Sequence, residues 1–450
     1  MAQIETRALS AATTHRGEST CRGAFVCIGN LAQIRDALGL ATSLQVLDEF
    51  RSRLSEELEL PADQVVHAGD DCFLVWLTDG CETQLEELMV RMSARPVEAG
   101  AHSLSLVVHT GWTELRSDEP RALLTEEAAY VLFTSASSVV LPPCTPNGDR
   151  FLSDMAVAST VATALESGRL DCQWQGISGL YGSGAFLYWR GVAQLDAAAL
   201  DVPFGVSHGF MSSLERLNLT RVIDRHMALR VLGQLISMPS LRLACRISPL
   251  SVQNDHYWQH LLSTLAANPS AARRFTLEIS GQVPLPSREA ARAFSSAIHE
   301  RGAHIALANF GCGAISLADV QACQPRTLLL DESFVERCRS NAEERVALRD
   351  MIRICAHLAE QIVVTGVHDE EGHSDAMRAG ARWISGSYVN AAPPFASKFW
   401  RSYASAPRSG APLCSPRSHS HNASSRAKPE EMGRVDWRVA GQAMTRSFMQ

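Results

Sequence analysis

No stretch of this 450-residue chain stays apolar for the roughly 18–20 residues that a membrane-spanning helix needs, so no membrane partner is expected. Residues 1–20 are polar and carry no apolar core of a secretory signal, which predicts a cytoplasmic protein. Positive charge is not in excess. Forty-one Lys and Arg stand against 48 Asp and Glu, a formal net charge of -7, and that leaves no basic footprint for nucleic acid. None of the 12 cysteines forms a Cys-x-x-Cys pair. Several lie inside apolar runs, as Cys27 does in 24–28 and Cys355 in 352–358, so buried free thiols of a reducing compartment are expected rather than a disulfide framework or a zinc site.

What is present is length enough for two or three domains with sizeable cores. After a disordered 1–22, a short apolar strand at 24–28 precedes Leu44, Leu47, Phe50, Leu54 and Leu58, spaced by three and four as on a helix. Residues 64–67 and 72–77 flank Gly69-Asp70-Asp71 as a hairpin. A helix at 83–92, a strand at 104–110, a helix near 121–132 and an apolar run at 138–141 follow. This βαββαβ order predicts an α+β domain with helices packed on an antiparallel sheet. His109, at a strand end, is expected to be a core or edge residue.

Beyond a Pro- and Asn-rich loop at 142–149, eight strand candidates lie near 171–175, 184–190, 242–247, 274–279, 304–308, 327–331, 361–365 and 382–385. Helical stretches at 211–238, 288–301 and 334–360 separate several of them. That alternation predicts an α/β (β/α)8 TIM barrel. Inside and outside sort by period two. Leu243, Cys245 and Ile247 oppose Ala244 and Arg246; Leu277 and Ile279 oppose Glu278; Ile305 and Leu307 oppose Ala306 and Ala308. With the apolar sets under the helices, Arg246, Glu278 and Ala308 converge at the barrel mouth.

The barrel's most telling stretch is Ile305-Ala306-Leu307-Ala308-Asn309-Phe310-Gly311-Cys312-Gly313, a buried strand running into a glycine-rich turn. It resembles the Asp-Asp-Phe-Gly-x-Gly loop of EAL domains, the cyclic-di-GMP phosphodiesterases, with Ala308 and Asn309 in place of the two aspartates. The resemblance covers 149–396 and implies a modified TIM barrel. Such a site holds two metal ions to generate hydroxide and neutralise the scissile phosphate, which takes several carboxylates. Matched motif by motif, most are replaced. Phe186 of Phe186-Leu187-Tyr188 takes the signature glutamate, Arg246 the metal-binding asparagine, and Gly281 the glutamate three residues after the retained Glu278. Leu329 takes the catalytic lysine, with Asp331 retained two residues on. Thr365 begins the Glu-Gly-Val-Glu element, and Ser385 takes the glutamine before the retained Gly386.

Ligand-side features that survive are Gln175, in the family's Tyr-Gln-Pro-Ile element, and Arg190, whose counterpart contacts a phosphate of the dinucleotide. With Glu278 and Asp331 they form the expected ligand-binding set, or else they are polar groups finishing the barrel ends. Arg246 either pairs with Glu278, a fixed cation replacing the metal, or faces solvent. Upstream, Ala68-Gly69-Asp70-Asp71-Cys72 resembles the Gly-Gly-Asp-Glu-Phe hairpin of GGDEF domains, the diguanylate cyclases; Asp70 and Asp71 are otherwise polar turn residues. Asp36 and Gly39 fit the family's Asn-Asp-x-x-Gly element, although Arg35 replaces its asparagine. Cys27 takes a metal-binding aspartate, and a thiol is a poor ligand for Mg2+. No Arg-x-x-Asp product-inhibition motif precedes the hairpin.

The two resemblances imply a degenerate GGDEF-like domain at 23–142, a degenerate EAL-like barrel at 149–396, and a mostly disordered tail at 402–450 that holds His419, His421 and a candidate docking segment at 434–449. They imply a bacterial signalling regulator without catalytic residues, metal or cofactor, acting on a protein partner and gated by cyclic-di-GMP or indifferent to it. The alternative is a residual phosphodiesterase with a rebuilt Mg2+ site. EAL domains often dimerise, so a homodimer fits the resemblance.

Overall fold

The computed structural model describes residues 21–61, 65–67, 71–77, 82–115, 148–180, 185–195, 204–254, 256–339 and 342–389. The N-terminal 1–20, Gly69 and Asp70 of the hairpin, the helix near 121–132, the run at 138–141 and the tail with His419 and His421 lie outside them.

The first part is a four-stranded antiparallel sheet. Strands β1 (Cys21–Ile28), β2 (Val65–His67), β3 (Cys72–Leu77) and β6 (Val108–Leu115) lie in the order β2-β3-β1-β6, and β4 (Val97–Ala99) pairs with β5 (His102–Leu104) as a separate hairpin. Helices Leu31–Leu38, Leu40–Glu57 and Glu82–Ala94 connect the strands. Val46, Phe50 and Leu54, one helical face of the second, are fully buried with Val26, Phe73 and Val75. The strand expected at 104–110 falls at Val108–Leu115 instead. Asn30 holds the segment before it: its Nδ2 donates to the Ser105 carbonyl (3.0 Å) and its Oδ1 accepts from the Val107 amide (3.0 Å), while the Val107 carbonyl accepts from the Gly29 amide (2.7 Å).

One thiol expectation is overturned here. Cys27 and Cys72 face each other directly in the β1–β3 ladder, with Cα atoms 4.1 Å apart, and form a disulfide. Cys172, Cys245, Cys312, Cys323, Cys338 and Cys355 are free, and all but Cys312 are buried.

The second part is a closed eight-stranded barrel. Strands β7 (Leu170–Gly179), β8 (Phe186–Leu195), β9 (Leu243–Ile247), β10 (Phe275–Ile279), β11 (His304–Phe310), β12 (Thr327–Leu330), β13 (Gln361–Val364) and β14 (Trp383–Ile384) follow one another round it. The strict (β/α)8 expectation fails at the first pair. β7 runs antiparallel to both β8 and β14, so β7 and β8 need no crossover helix. All other neighbouring strands are parallel. The helix expected over 211–238 is two, Phe204–Leu217 and Thr220–Ser237, broken at Asn218 with φ 56°. Among the described residues no helix is long and apolar enough to cross a membrane.

Leu243, Cys245, Ile247, Leu277, Ile279, Ile305 and Leu307 pack outward under the helices. Ala244, Ala306, Ala308, Leu329 and Val363 fill the barrel with Ile177, Leu187 and Tyr188. Small alanines on β9 and β11 leave room for the tyrosine ring, an ordinary way to fill a tapering interior.

Candidate functional site at the barrel mouth

Glu278 is fully buried in β10, and the ladder sets Arg246 of β9 directly beside it. Arg246 donates from Nε (2.9 Å) and stands with Nη2 2.7 Å from the same Oε1 of Glu278. Arg190 of β8 donates Nη1 to that oxygen at 2.8 Å. The other carboxylate oxygen receives the Tyr188 hydroxyl at 3.4 Å. Arg190 also gives Nη2 to Gln175 Oε1 (2.8 Å), its cross-strand neighbour, and to Ser385 Oγ (3.4 Å). Gln175, Arg190, Arg246, Glu278 and Ser385 therefore form one connected cluster with Tyr188.

Burial pushes the Glu278 carboxyl upward, but the Arg190 and Arg246 guanidiniums beside it prevail and hold it below the usual carboxylate range. Arg190, 6% exposed, is held more firmly protonated because Glu278 outweighs its desolvation. Arg246 is lowered by burial and then by the like charge of Arg190. Two guanidiniums on one carboxylate leave a net positive charge, and Arg246, with 30% of its side chain exposed, carries it to the surface.

Asp331 is not part of this cluster. Its Oδ2 accepts from Asn309 Nδ2 at 3.0 Å and its Oδ1 from the Ser333 amide at 3.1 Å. Asn309 takes the left-handed conformation (φ 55°), which asparagine tolerates, at the irregular end of β11. Ala308 and Leu329 face the apolar interior, and Thr365 caps the Leu330 carbonyl at 2.6 Å. Phe186 does not stand at the mouth. The β7–β8 register pairs Ile177 with Tyr188 and Ser178 with Phe186, so Leu187 is the extra residue of a bulge. Leu187 and Tyr188 both turn inward, and Phe186 turns out to stack on Trp189, ring centroids 4.5 Å apart.

The loop after β11 closes over the end of β10. The Ala314 amide donates to the Gly281 carbonyl at 2.8 Å, and a Cβ on Gly281 would sit 2.2 Å from the Ala308 carbonyl oxygen. A glutamate at 281 has no place in this conformation. Gly311 (φ 99°) makes the turn, and Ser316 with Asp319 forms a capping box that starts the helix Leu317–Cys323.

Sequence reasoning missed two acidic residues behind β9, Glu215 half-buried and Asp224 fully buried. Ser248 Oγ donates to Glu215 Oε1 at 2.9 Å, and Glu215 lies within the field of Arg246. Asp224, 1% exposed, accepts from Ser251 Oγ (2.5 Å) and the Ser248 amide (2.9 Å), and burial pushes it up to about 7. The only local signal is acidic residues at positions flanked by buried apolar ones: Leu214 and Leu217 round Glu215, Ile223 and Met227 round Asp224.

These donors do not suit Mg2+. The one carboxylate of the cluster is already neutralised by two fixed cations, and among the described residues no three of His, Cys, Asp and Glu gather closely enough to hold a metal ion.

A family model described as EAL domain matches residues 158–394. Uncharacterized proteins of Mycobacterium tuberculosis and Mycobacterium bovis are 24% identical over 167 residues, which is 36% of this chain and 27% of theirs, so the match spans about a quarter of those relatives' length. Among solved structures, the Vibrio cholerae LapD S helix-GGDEF-EAL bound to c-di-GMP is 16% identical with a TM-score of 0.47, covering 82% of this chain and 90% of that one. The FimX EAL domain from Pseudomonas aeruginosa bound to c-di-GMP is 20% identical with a TM-score of 0.44, covering 52% of this chain and 95% of that one.

Proposed function

This chain belongs to the EAL domain family, and from that premise we propose that it is a regulator in cyclic-di-GMP signalling that does not hydrolyse the dinucleotide and acts on a protein partner. The observation that carries the reading is the Arg190–Glu278–Arg246 cluster: the last carboxylate of the expected metal set is spent on two guanidiniums. A phosphodiesterase of this kind needs metal ions for both its nucleophile and its charge neutralisation, each worth several kcal/mol of barrier. Here the charge compensation is internal. In this reading 149–396 is a degenerate EAL-like barrel and 23–142 a degenerate GGDEF-like domain. Support for the latter is the antiparallel sheet and the bridge that engages Cys27 at the metal-aspartate position.

A second reading, a cyclic-di-GMP receptor, is favoured by the net positive mouth with Arg246 partly exposed. Arg190 is a poor contact for it, because its Nη atoms already serve Glu278, Gln175 and Ser385. Incubating the full chain with cyclic-di-GMP and Mg2+ or Mn2+ is the test: no linear product is expected, and steady turnover abolished by Glu278→Gln would restore the hydrolase. Calorimetric titration with cyclic-di-GMP separates receptor from scaffold, heat of binding that is lost in Arg246→Ala favouring the receptor.

A further inference from the structure

Four barrel strands begin directly after an arginine: Arg242 before β9, Arg274 before β10, Arg326 before β12 and Arg382 before β14. These strands are parallel members of one barrel, so the arginines gather at its N-terminal floor, the end away from the mouth. There a cavity of about 480 Å3 opens, lined by Arg242, Arg273, Arg274, His304 and Arg326. Pro239, just past one helix, and Ser270, in the short helix before β10, complete its wall.

The arginines fall into two kinds. Arg274 is tied to the backbone: Nη1 donates to the Met238 (3.0 Å) and Leu241 (2.7 Å) carbonyls, Nη2 to Leu235 (2.9 Å) and Nε to Ser270 (3.1 Å). Arg326 holds Glu360 through Nε (2.9 Å) and Nη2 (3.0 Å), and its Nη1 lies 2.8 Å from His304 Nε2. Burial and then the Arg326 charge keep His304 neutral, so its Nε2 accepts from Arg326 while the ring's other N–H donates to the Arg273 carbonyl. Arg242 and Arg273 are exposed, and neither guanidinium has a hydrogen-bond or ion-pair partner among the described residues.

Four guanidiniums thus meet one carboxylate, Glu360, in a chain whose formal charge is -7. Like charges held together by a folded backbone create a local potential that a counter-anion relieves. Guanidinium forks match the spacing of phosphate oxygens and bind them through paired hydrogen bonds. The cavity lies within the size range of small-molecule sites. The chain's net negative charge argues for a small ligand over a nucleic acid strand.

We propose that the barrel floor is a second ligand site, taking a phosphate group of a small molecule, free or esterified, between Arg242 and Arg273 against the fixed walls of Arg274 and Arg326. It is separate from the mouth and stands whether or not the mouth takes a dinucleotide.

The test is titration of the full chain with inorganic phosphate, pyrophosphate and adenosine monophosphate at constant ionic strength, read by calorimetry and melting temperature. Pyrophosphate is expected to bind and to raise the melting temperature, and the Arg242→Ala/Arg273→Ala double variant to lose about 10- to 100-fold in affinity. That variant should melt like the parent without ligand, since neither side chain holds any part of the fold. Tighter binding of the monophosphate ester than of inorganic phosphate assigns the source as an ester; the reverse assigns the free anion. Silence with all three probes, a response matched by chloride, or undiminished binding in the double variant overturns the proposal.

Discussion

Arg246 sets its Nη2 2.7 Å from the Glu278 oxygen that Arg190 already holds at 2.8 Å, so one buried carboxylate lies between two guanidiniums. Removing the shared partner is worse than removing either cation. Glu278→Ala leaves the buried Arg190 guanidinium without its counter-charge and beside the like charge of Arg246, and should cost about 3–5 kcal/mol. Arg246→Ala leaves the Arg190 pair intact and should cost about 2 kcal/mol, the worth of a hydrogen bond to a charged group. Urea unfolding of both variants checks the order, and an Arg246→Ala protein that unfolds like the parent would show that its pairing contributes nothing.

Asp224 gives the chain an unusual pH response. Burial pushes its folded pKa up to about 7, from the ordinary aspartate value of 3.8. Between those values the unfolded chain has released this proton and the folded chain keeps it, so stability falls as pH rises, by at most about 1.4 kcal/mol per unit. Glu278 acts with the opposite sign and elsewhere: its pKa is lowered from 4.5, so its contribution is present above that value and is lost only as pH falls through the folded pKa. His226, His260, His299 and His304, whose pKa values burial lowers, act over the same range with the opposite sign. The check is therefore a difference: relative to the parent, Asp224→Asn should gain in melting temperature from pH 5 to pH 7.

Restoring single family residues should not restore a metal site. At position 281 even Gly281→Ala would press a methyl against the Ala308 carbonyl and should cost about 1–3 kcal/mol, measurable by denaturant unfolding. Phe186→Glu would place its carboxylate on the outer face beside Trp189, and manganese titration of that variant should give no more heat than the parent.

The Cys27–Cys72 bridge closes a sequence separation of 45 residues, which corresponds to about 4 kcal/mol of loop-closure entropy. Reductant, or Cys27→Ser, should lower the unfolding transition of the small sheet. The near-ultraviolet signal of Trp189, buried within barrel strand β8, should lag behind.

Much of the barrel was legible because its strands are short apolar runs with glycine- or charge-marked ends. The eight expected segments overlap β7 to β14, and period two alone put Arg246 and Glu278 on one side. Phe186 was misplaced because a bulge breaks that period at Leu187, a local event with no residue signature. The Cys27–Cys72 pairing depends on register between strands distant in sequence, and the Asn30 bonds just before β6 depend on a side chain some 75 residues away. Asp224 and Glu215 carry no motif; what distinguishes them is burial, which emerges only when helices close on β9.

The clearance at Gly281 also ties two segments together. With the Ala314 amide bonded to its carbonyl and the Ala308 oxygen standing where a Cβ would sit, the loop after β11 occupies the volume a side chain would need. Strand end and loop interlock like a key and its ward: neither takes a larger residue unless the other is recast with it.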